Sequence, residues 1–426
     1  VAPAFPRRAG HGLLPTMVRA SSQTDDPALD AAALLRRIGF FGLFVITPIA
    51  AQVSRRALVV LAPIGVVLLV IASAIDGRQR KVAPSLSRLL KAPAFLAGLL
   101  VVLWSAVSLV WTPFPGPAAE RVANLFGAIG LTLLGYFALP ERMRSANLYL
   151  LPLGVGAAAV VMALAALSDS AGFTEAAEGD STLERGAVLL ALLAWPAVAW
   201  LRSRRRDVEA LVTVILVAAA LLIAPGPIPL FALAAGAIAF AITTRWQQLG
   251  VRITAVVTAG LIALAPVIPF LARPLGAVLF GPLSPGVLSL KAWQKVVSTE
   301  PLRLITGHGL ESALRGRIFG VLPPNAPTTL LFGIWYELGI VGAFALAFAL
   351  HNAIRRAGRD SALLAPGTTA AFVTAFAIAC CGVGVTVIWW LTSLALAVLV
   401  FVAIERGQFR TRRPKVRLPI RPRAEA

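Results

Sequence analysis

The sequence predicts an all-α protein that crosses a lipid bilayer many times, and three observations carry that expectation. Of 426 residues, 58% are hydrophobic and only 14% are charged, whereas a soluble domain holds about a quarter of its residues as charged side chains. The mean hydropathy is +0.83. The apolar residues also arrive in blocks of 15 to 22, separated by short polar breaks, and blocks of that length match the hydrocarbon thickness of a membrane. A buried helix of a soluble protein would be shorter and would carry a polar stripe.

Spans are expected near 38–53, 57–75, 93–111, 122–139, 148–168 and 185–201. Six more are expected near 208–224, 228–243, 251–272, 328–350, 367–384 and 386–404. The first is short and ends at Arg55 and Arg56, which must lie at an interface. The seventh and eighth are split only by Ala224-Pro-Gly-Pro-Ile-Pro229, a tight hairpin. Around these twelve segments, residues 1–35 read as a disordered, polar N-terminal tail with no signal-peptide core, in which Met17 is a candidate start. Residues 36–405 read as the membrane domain and 406–426 as a basic C-terminal tail.

Charge gives the direction of the chain. The formal net charge of +20 invites a nucleic-acid reading, but the cations do not gather on one face beside aromatics. They flank the apolar blocks, as at Arg202, Arg204, Arg205 and Arg206, at Arg355, Arg356 and Arg359, and in the tail from Arg406 to Arg423. No nucleic-acid partner is expected; the expected surroundings are a lipid bilayer. Counted from a cytoplasmic N-terminus, the inner breaks hold Arg78, Arg80, Lys81, Arg88 and Lys91, then Arg142 and Arg144, then 202–206, Arg245, 355–359 and the tail. The outer breaks at 168–184, 224–229 and 384–386 are acidic or uncharged. That is the positive-inside pattern. It places both termini in the cytoplasm of a bacterial-type inner membrane and prefers twelve spans to eleven. The two cysteines, Cys380 and Cys381, are adjacent in an apolar block; neighbours on a helix point apart, so neither a disulfide nor a metal site is expected there.

One outer segment departs from the pattern. Residues 273–327 hold Arg273, Lys291, Lys295, Arg303, His308, Arg315 and Arg317 against only Glu300 and Glu311. Two readings stay open. Long loops escape the topology bias, or these cations face an anion at the outer surface. Arg185 raises the same question. It opens the sixth span in Leu183-Glu184-Arg185-Gly186-Ala187, where the helix dipole prefers an acid. An arginine held within the membrane costs at least roughly 2.5–3.5 kcal/mol. Its partner is either a local carboxylate such as Glu184 or a phosphate gripped by the guanidinium fork.

Two motifs lie within and beyond that segment. Trp293 is followed by Pro301-Leu-Arg303-Leu-Ile-Thr-Gly307-His308-Gly309, and the next span opens with Ile334-Trp335-Tyr336-Glu337-Leu338-Gly339-Ile340-Val341-Gly342. With the long outer loop, the Leu-Glu-Arg-Gly-Ala opening of the sixth span and Ile388-Trp389-Trp390, they resemble the signature of the O-antigen ligase and polymerase family. The layout matches over roughly residues 95–400, the specific motifs over about 60 residues.

The resemblance implies a GT-C-like, twelve-span glycosyltransferase of polysaccharide and lipopolysaccharide biosynthesis, inverting and metal-independent, with no cofactor. Its donor would be an undecaprenyl-diphosphate-linked glycan, and its acceptor a glycan or the lipid A core at the periplasmic face. It further implies that outer arginines hold the donor diphosphate, here Arg185 with Arg273, Lys291, Lys295 and Arg303, and that a loop histidine assists the attacking hydroxyl. This chain departs from the family at two positions. Aligned on Glu337, the expected histidine falls on Thr328 and an expected loop arginine falls on Ser289. Thr328 cannot act as a base at neutral pH, so of the three candidate catalytic residues, His308, Glu337 and Thr328, the first two stand for the proton-handling role. The alternatives are a non-catalytic relative that binds lipid-linked glycan or envelope-assembly partners, or a transporter. Transporters place ionisable groups at the bilayer midplane, and these span interiors carry almost none.

Overall fold

The computed structural model describes residues 27–77, 91–170, 176–360, 362–381 and 387–408; for 169, 170, 176–181 and 360 it describes the backbone alone. Most of the acidic 168–184 break, the cations from Arg78 to Arg88, and the sequence before 27 and after 408 lie outside the described residues or side chains. All regular structure among the described residues is helical. Among the described residues nine helices are long and apolar enough to cross a membrane, and a tenth span is completed if Gln247–Ala263 and Ala265–Phe280, which meet at 62°, are taken together. The remaining expected segments fall on helices of borderline length, Asp207–Ile223 with 17 residues and Ala365–Cys380 with 16.

Proline fixes many of the starts. Pro27, Pro93, Pro115 and Pro285 open their helices, and Pro229 and Pro366 lie in the first turn, where the missing N–H would have had no partner. Pro48 stands later in its helix, and the preceding residues, Gly42–Ile46, widen into a π turn. There the Thr47 hydroxyl donates to the Gly42 carbonyl at 2.8 Å, supplying a bond the disrupted ladder lacks.

The helix Thr182–Ser203 is the centre of the bundle. Its most apolar window is 89% buried, against 17% for Pro93–Val110 and Pro115–Ala138. Trp195 and Trp200 are among the largest fully buried side chains. The Trp195 indole donates to the Thr374 hydroxyl at 2.7 Å, which donates in turn to the Ala232 carbonyl at 3.1 Å, so three helices share one polar knot. Gly236 lies against it, and a Cβ there would come within 2.2 Å of the Thr374 hydroxyl and 2.8 Å of the Trp195 ring.

Contacts sort the breaks between helices onto two ends, as a chain that crosses and recrosses requires. At one end the Met143 amide donates to the Arg406 carbonyl, Arg204 reaches Ser145 and Gly407, Gln247 reaches Gly358, and Arg36 pairs with Asp76. At the other, Thr112 meets Leu310, Gln52 meets Gly186, and Arg185 lies over Trp389.

The expected outer loop is itself folded. The helix Ile268–Phe280 runs on past residue 273, and Pro285–Thr299, Arg303–Thr306 and Ser312–Ile318 follow before Leu330 starts the next span. Pro285–Thr299 turns Trp293 and Ala292 into a core shared with Phe332, Trp335 and Tyr336 and leaves Lys291 and Lys295 exposed. Together these short helices make a cap on the bundle.

Candidate functional site

The two motifs interlock. The helix Leu330–Asp360 breaks at Gly339 (φ 63°, ψ −159°), and the Gly307-His308-Gly309 turn fits into the break. The His308 amide donates to the Tyr336 carbonyl at 2.8 Å and the Gly309 amide to the Glu337 carbonyl at 2.9 Å. The Leu338 carbonyl accepts from the Trp104 indole at 2.9 Å. Each carbonyl at the break thus has a donor from outside its helix, and leaving such a group bare in a membrane costs several kcal/mol. Only glycine allows so close an approach. A Cβ on Gly339 would lie 2.5 Å from the Ile305 carbonyl, and one on Gly307 would lie 2.2 Å from the Glu337 carbonyl. A second break lies beside the first. The Trp335 indole donates to the Ile262 carbonyl at 2.7 Å, just before the 62° bend that divides the expected 251–272 span.

His308 is held on three sides. Its ring stacks on Tyr336, with centroids 4.0 Å apart and planes 13° apart. The stack continues through Phe332, 5.2 Å from Tyr336, to Trp293, whose ring meets Phe332 edge-on. Nδ1 lies 3.1 Å from the Tyr336 carbonyl and Nε2 lies 2.8 Å from a Glu300 carboxylate oxygen. Both ring nitrogens therefore face oxygens. In the neutral tautomer that donates from Nδ1 to the Tyr336 carbonyl, Nε2 carries the free lone pair, and it is open to a substrate hydroxyl once Glu300, half exposed, swings aside.

Glu337 points elsewhere. Its carboxylate is buried and accepts the backbone N–H groups of Glu311 and Ala313 at the start of the Ser312–Ile318 helix, the latter at 3.2 Å. Glu311 is also buried and has a left-handed backbone (φ 67°), a conformation that costs a non-glycine residue about 1–3 kcal/mol. What holds it there is Arg121, 2.6 Å from Oε1, with Arg315 at 3.6 Å from Oε2. Arg121, Arg315, Glu311 and Glu337 therefore form one cluster, centred on the buried Glu311, that fastens the cap to the Pro115–Ala138 helix. In it Glu337 supports structure. The sequence reading missed Arg121, although an arginine less than two turns into an apolar helix was a signal.

The remaining candidates separate into two places. Arg273 donates to the Gln294 side chain at 2.7 Å, on the helix that presents Lys291 and Lys295. Arg303 is exposed, and its amide donates to the Glu300 carbonyl at 3.2 Å. Those four cations belong to the cap, with Glu300 and His308. Thr328 is partly exposed just ahead of Leu330. Arg185 lies apart, with its guanidinium 5.5 Å from the Trp389 ring centroid and with Arg55 and Glu184 as charged neighbours. Among the described residues no carboxylate lies within ion-pair distance of it. None of the contacts of Arg185 is shared with Arg273 or Arg303.

Among the described residues no three histidine, cysteine or acidic side chains cluster so as to hold a metal. Comparison of the chain with protein-family models, with curated proteins and with solved structures finds no match to any of them.

Proposed function

We propose that this polytopic membrane protein transfers glycan from an undecaprenyl-diphosphate-linked donor to an acceptor at the periplasmic face of a bacterial inner membrane, as an O-antigen ligase or polymerase does. The observation that supports it best is the seating of the Gly307-His308-Gly309 turn in the Gly339 break, which gathers His308, Glu300 and Arg303 beside the cations of the cap. The orientation rests on the positive-inside pattern, which puts the arginine-rich end of the bundle in the cytoplasm and the cap outside.

In this reading the acceptor hydroxyl attacks the anomeric carbon as the glycosidic bond to the diphosphate breaks, and undecaprenyl diphosphate leaves with the bonding electron pair. Positive charge opposite the departing diphosphate lowers the barrier; Arg303, Lys291, Lys295 and Arg273 supply it in the cap, and Arg185 supplies it across the bundle. The hydroxyl proton passes to His308 Nε2 once Glu300 has turned away. Thr328, at the position of the family's histidine, has no basic group and contacts the acceptor at most as a hydrogen-bond donor. Glu337, enclosed in its cluster, takes no proton from substrate.

A second reading has its own support. Both nitrogens of His308 are engaged and Glu337 is sequestered, which suits a relative that binds lipid-linked glycan without turning it over. Reconstitution in vesicles with lipid-linked oligosaccharide separates the two. The transferase reading expects glycan transfer that Arg185→Ala and His308→Ala abolish while the fold persists. Binding of the donor with no transfer by the unaltered chain sinks that reading in favour of the binder.

A further inference from the structure

Between Arg252 and Lys291 the only charged residue is Arg273, although much of that stretch belongs to the folded cap. The helix Gln247–Ala263 has 17 residues, a rise of about 25 Å, against a hydrocarbon core of about 30 Å. The 3-10 turn Ala265–Val267 covers much of the remainder. The chain has therefore nearly reached the boundary of the bilayer when it turns through 62° into Ala265–Phe280. Laid end to end, the two helices would reach about 50 Å, so the second is not needed to complete the crossing. With the first helix along the membrane normal, the second lies nearer the plane than the normal.

The two faces of Ile268–Phe280 differ. One packs on the cap. On it Arg273 donates to the Gln294 side chain at 2.7 Å, Pro269 is buried, and a Cβ on Gly276 would stand 3.1 Å from the Val287 side chain. The other face carries Leu271, Leu275 and Val278, spaced four and three residues apart and all exposed. Their stripe does not begin at the bend. Leu261, Leu264 and Val267 precede it at spacings of three residues, which keeps all six on one side of the helical path. Their accessibility runs from 39% at Leu261 to 83% at Val278. The side of the span that meets acyl chains thus continues, without a charge, onto the cap helix. In water so large an apolar patch would drive association. A helix with one apolar face and a polar partner face instead lies in the membrane interface.

We infer that Ile268–Phe280 is an interfacial helix, with Leu271, Leu275 and Val278 among the acyl chains of the leaflet at the cap end and the rest of the cap resting on it. Pro285–Thr299, tied to it through Arg273 and Gln294, then carries Lys291 and Lys295 at the level of the lipid headgroups. The inference does not rest on the transfer reading and holds for a transferase and a binder alike.

The test uses the full chain with C380A and C381A, reconstituted in phospholipid nanodiscs and bearing one spin label at L275C, V278C, V256C or K295C. Power saturation reads collision of the label with oxygen, which partitions into hydrocarbon, and with a nickel chelate, which stays in water. Val256 is exposed on the span and Lys295 on the cap. Labels at 275 and 278 are expected to match the label at 256, with high oxygen and low nickel collision, and the label at 295 is expected to show the reverse. Nickel collision at 275 and 278 equal to that at 295 would place the stripe in water and overturn the inference. Low collision with both reagents would mean that protein covers the stripe, a second copy or a partner, and would overturn it equally. If the labelled variants fail to fold, hydroxyl-radical footprinting of the unaltered chain in the same nanodiscs replaces them. Oxidation of 271–278 is then expected to be as low as that of 253–261 in the span, and oxidation as high as that of 291–299 overturns the inference.

Discussion

Arg121 and Arg185 stand at the same end of the bundle, each near the start of an apolar helix, and they meet different surroundings. Arg121 lies 2.6 Å from the buried carboxylate of Glu311, and the cluster around it also encloses Arg315 and Glu337. Arg185 has an indole face and a second arginine, Arg55, nearby, while Glu184 stays exposed beyond ion-pair distance. Burial with a matched carboxylate makes an arginine part of the scaffold. An arginine beside a ring and another cation keeps its capacity for an anion. The comparison teaches that position along the helix does not identify a ligand-binding cation, whereas the carboxylate across from it does.

The largest effect expected from that contrast is at Glu311. Glu311→Ala strands Arg121 in a largely buried site and removes a partner from the partly exposed Arg315, and breaking a buried pair such as Arg121–Glu311 by removing one member costs about 3–5 kcal/mol. A denaturant titration of the detergent-solubilised chain measures it, and a change below 1 kcal/mol would show that the cluster does not fasten the cap. Next is Gly339→Ala. Its left-handed backbone and the 2.5 Å approach to the Ile305 carbonyl predict a loss of at least about 1–3 kcal/mol and faster protease cleavage between residues 281 and 329; cleavage as slow as in the unaltered chain would mean the break is not needed to seat the cap.

Smaller still is His308→Ala, which keeps the backbone donors and loses a ring stack, one hydrogen bond to a carbonyl and the contact with the half-exposed Glu300. About 1–2 kcal/mol is expected, with donor binding retained and transfer lost; retained transfer would remove His308 from the reaction. The smallest change in stability is expected at Arg185→Ala. Loss of its contact with Trp389 is worth about 0.5–1 kcal/mol, so the melting temperature should barely move while donor affinity falls. A large drop in melting temperature would instead make Arg185 a scaffold residue like Arg121.

Much of the fold was legible because hydropathy and the bilayer obey one length scale. Among the described residues, nine of the expected spans fall on helices long and apolar enough to cross a membrane, a tenth falls on the bent pair and two fall on shorter helices, and the Ala224–Pro229 hairpin lies between two helices where proline and glycine indicated. The bend at Leu264 was not legible. It depends on the Trp335 indole reaching the Ile262 carbonyl from a helix some seventy residues later, and no local pattern records a donor arriving from so far. The helices of the 273–327 segment were missed for a related reason: they are short, and Trp293 and Ala292 gain their buried setting in a core that includes Phe332 and Tyr336 from the next span. For the site, the motif residues His308 and Glu337 were visible in sequence but their surroundings were not. Glu337 read as a candidate base because its type allows it; the backbone N–H groups of Glu311 and Ala313 that engage it belong to another segment. Arg121 escaped notice because its partner lies 190 positions away.

The most direct test of whether the outer cations serve a diphosphate is equilibrium binding of undecaprenyl diphosphate, without glycan, to the purified full chain, comparing the unaltered protein with Arg185→Ala, Arg303→Ala and Arg121→Lys. Binding should weaken by at least about tenfold in the first two, since a charge-assisted hydrogen bond is worth about 1.5–3 kcal/mol, and should hold in the third, where the positive charge facing Glu311 is kept. Equal affinity in the unaltered chain, Arg185→Ala and Arg303→Ala would contradict the proposal.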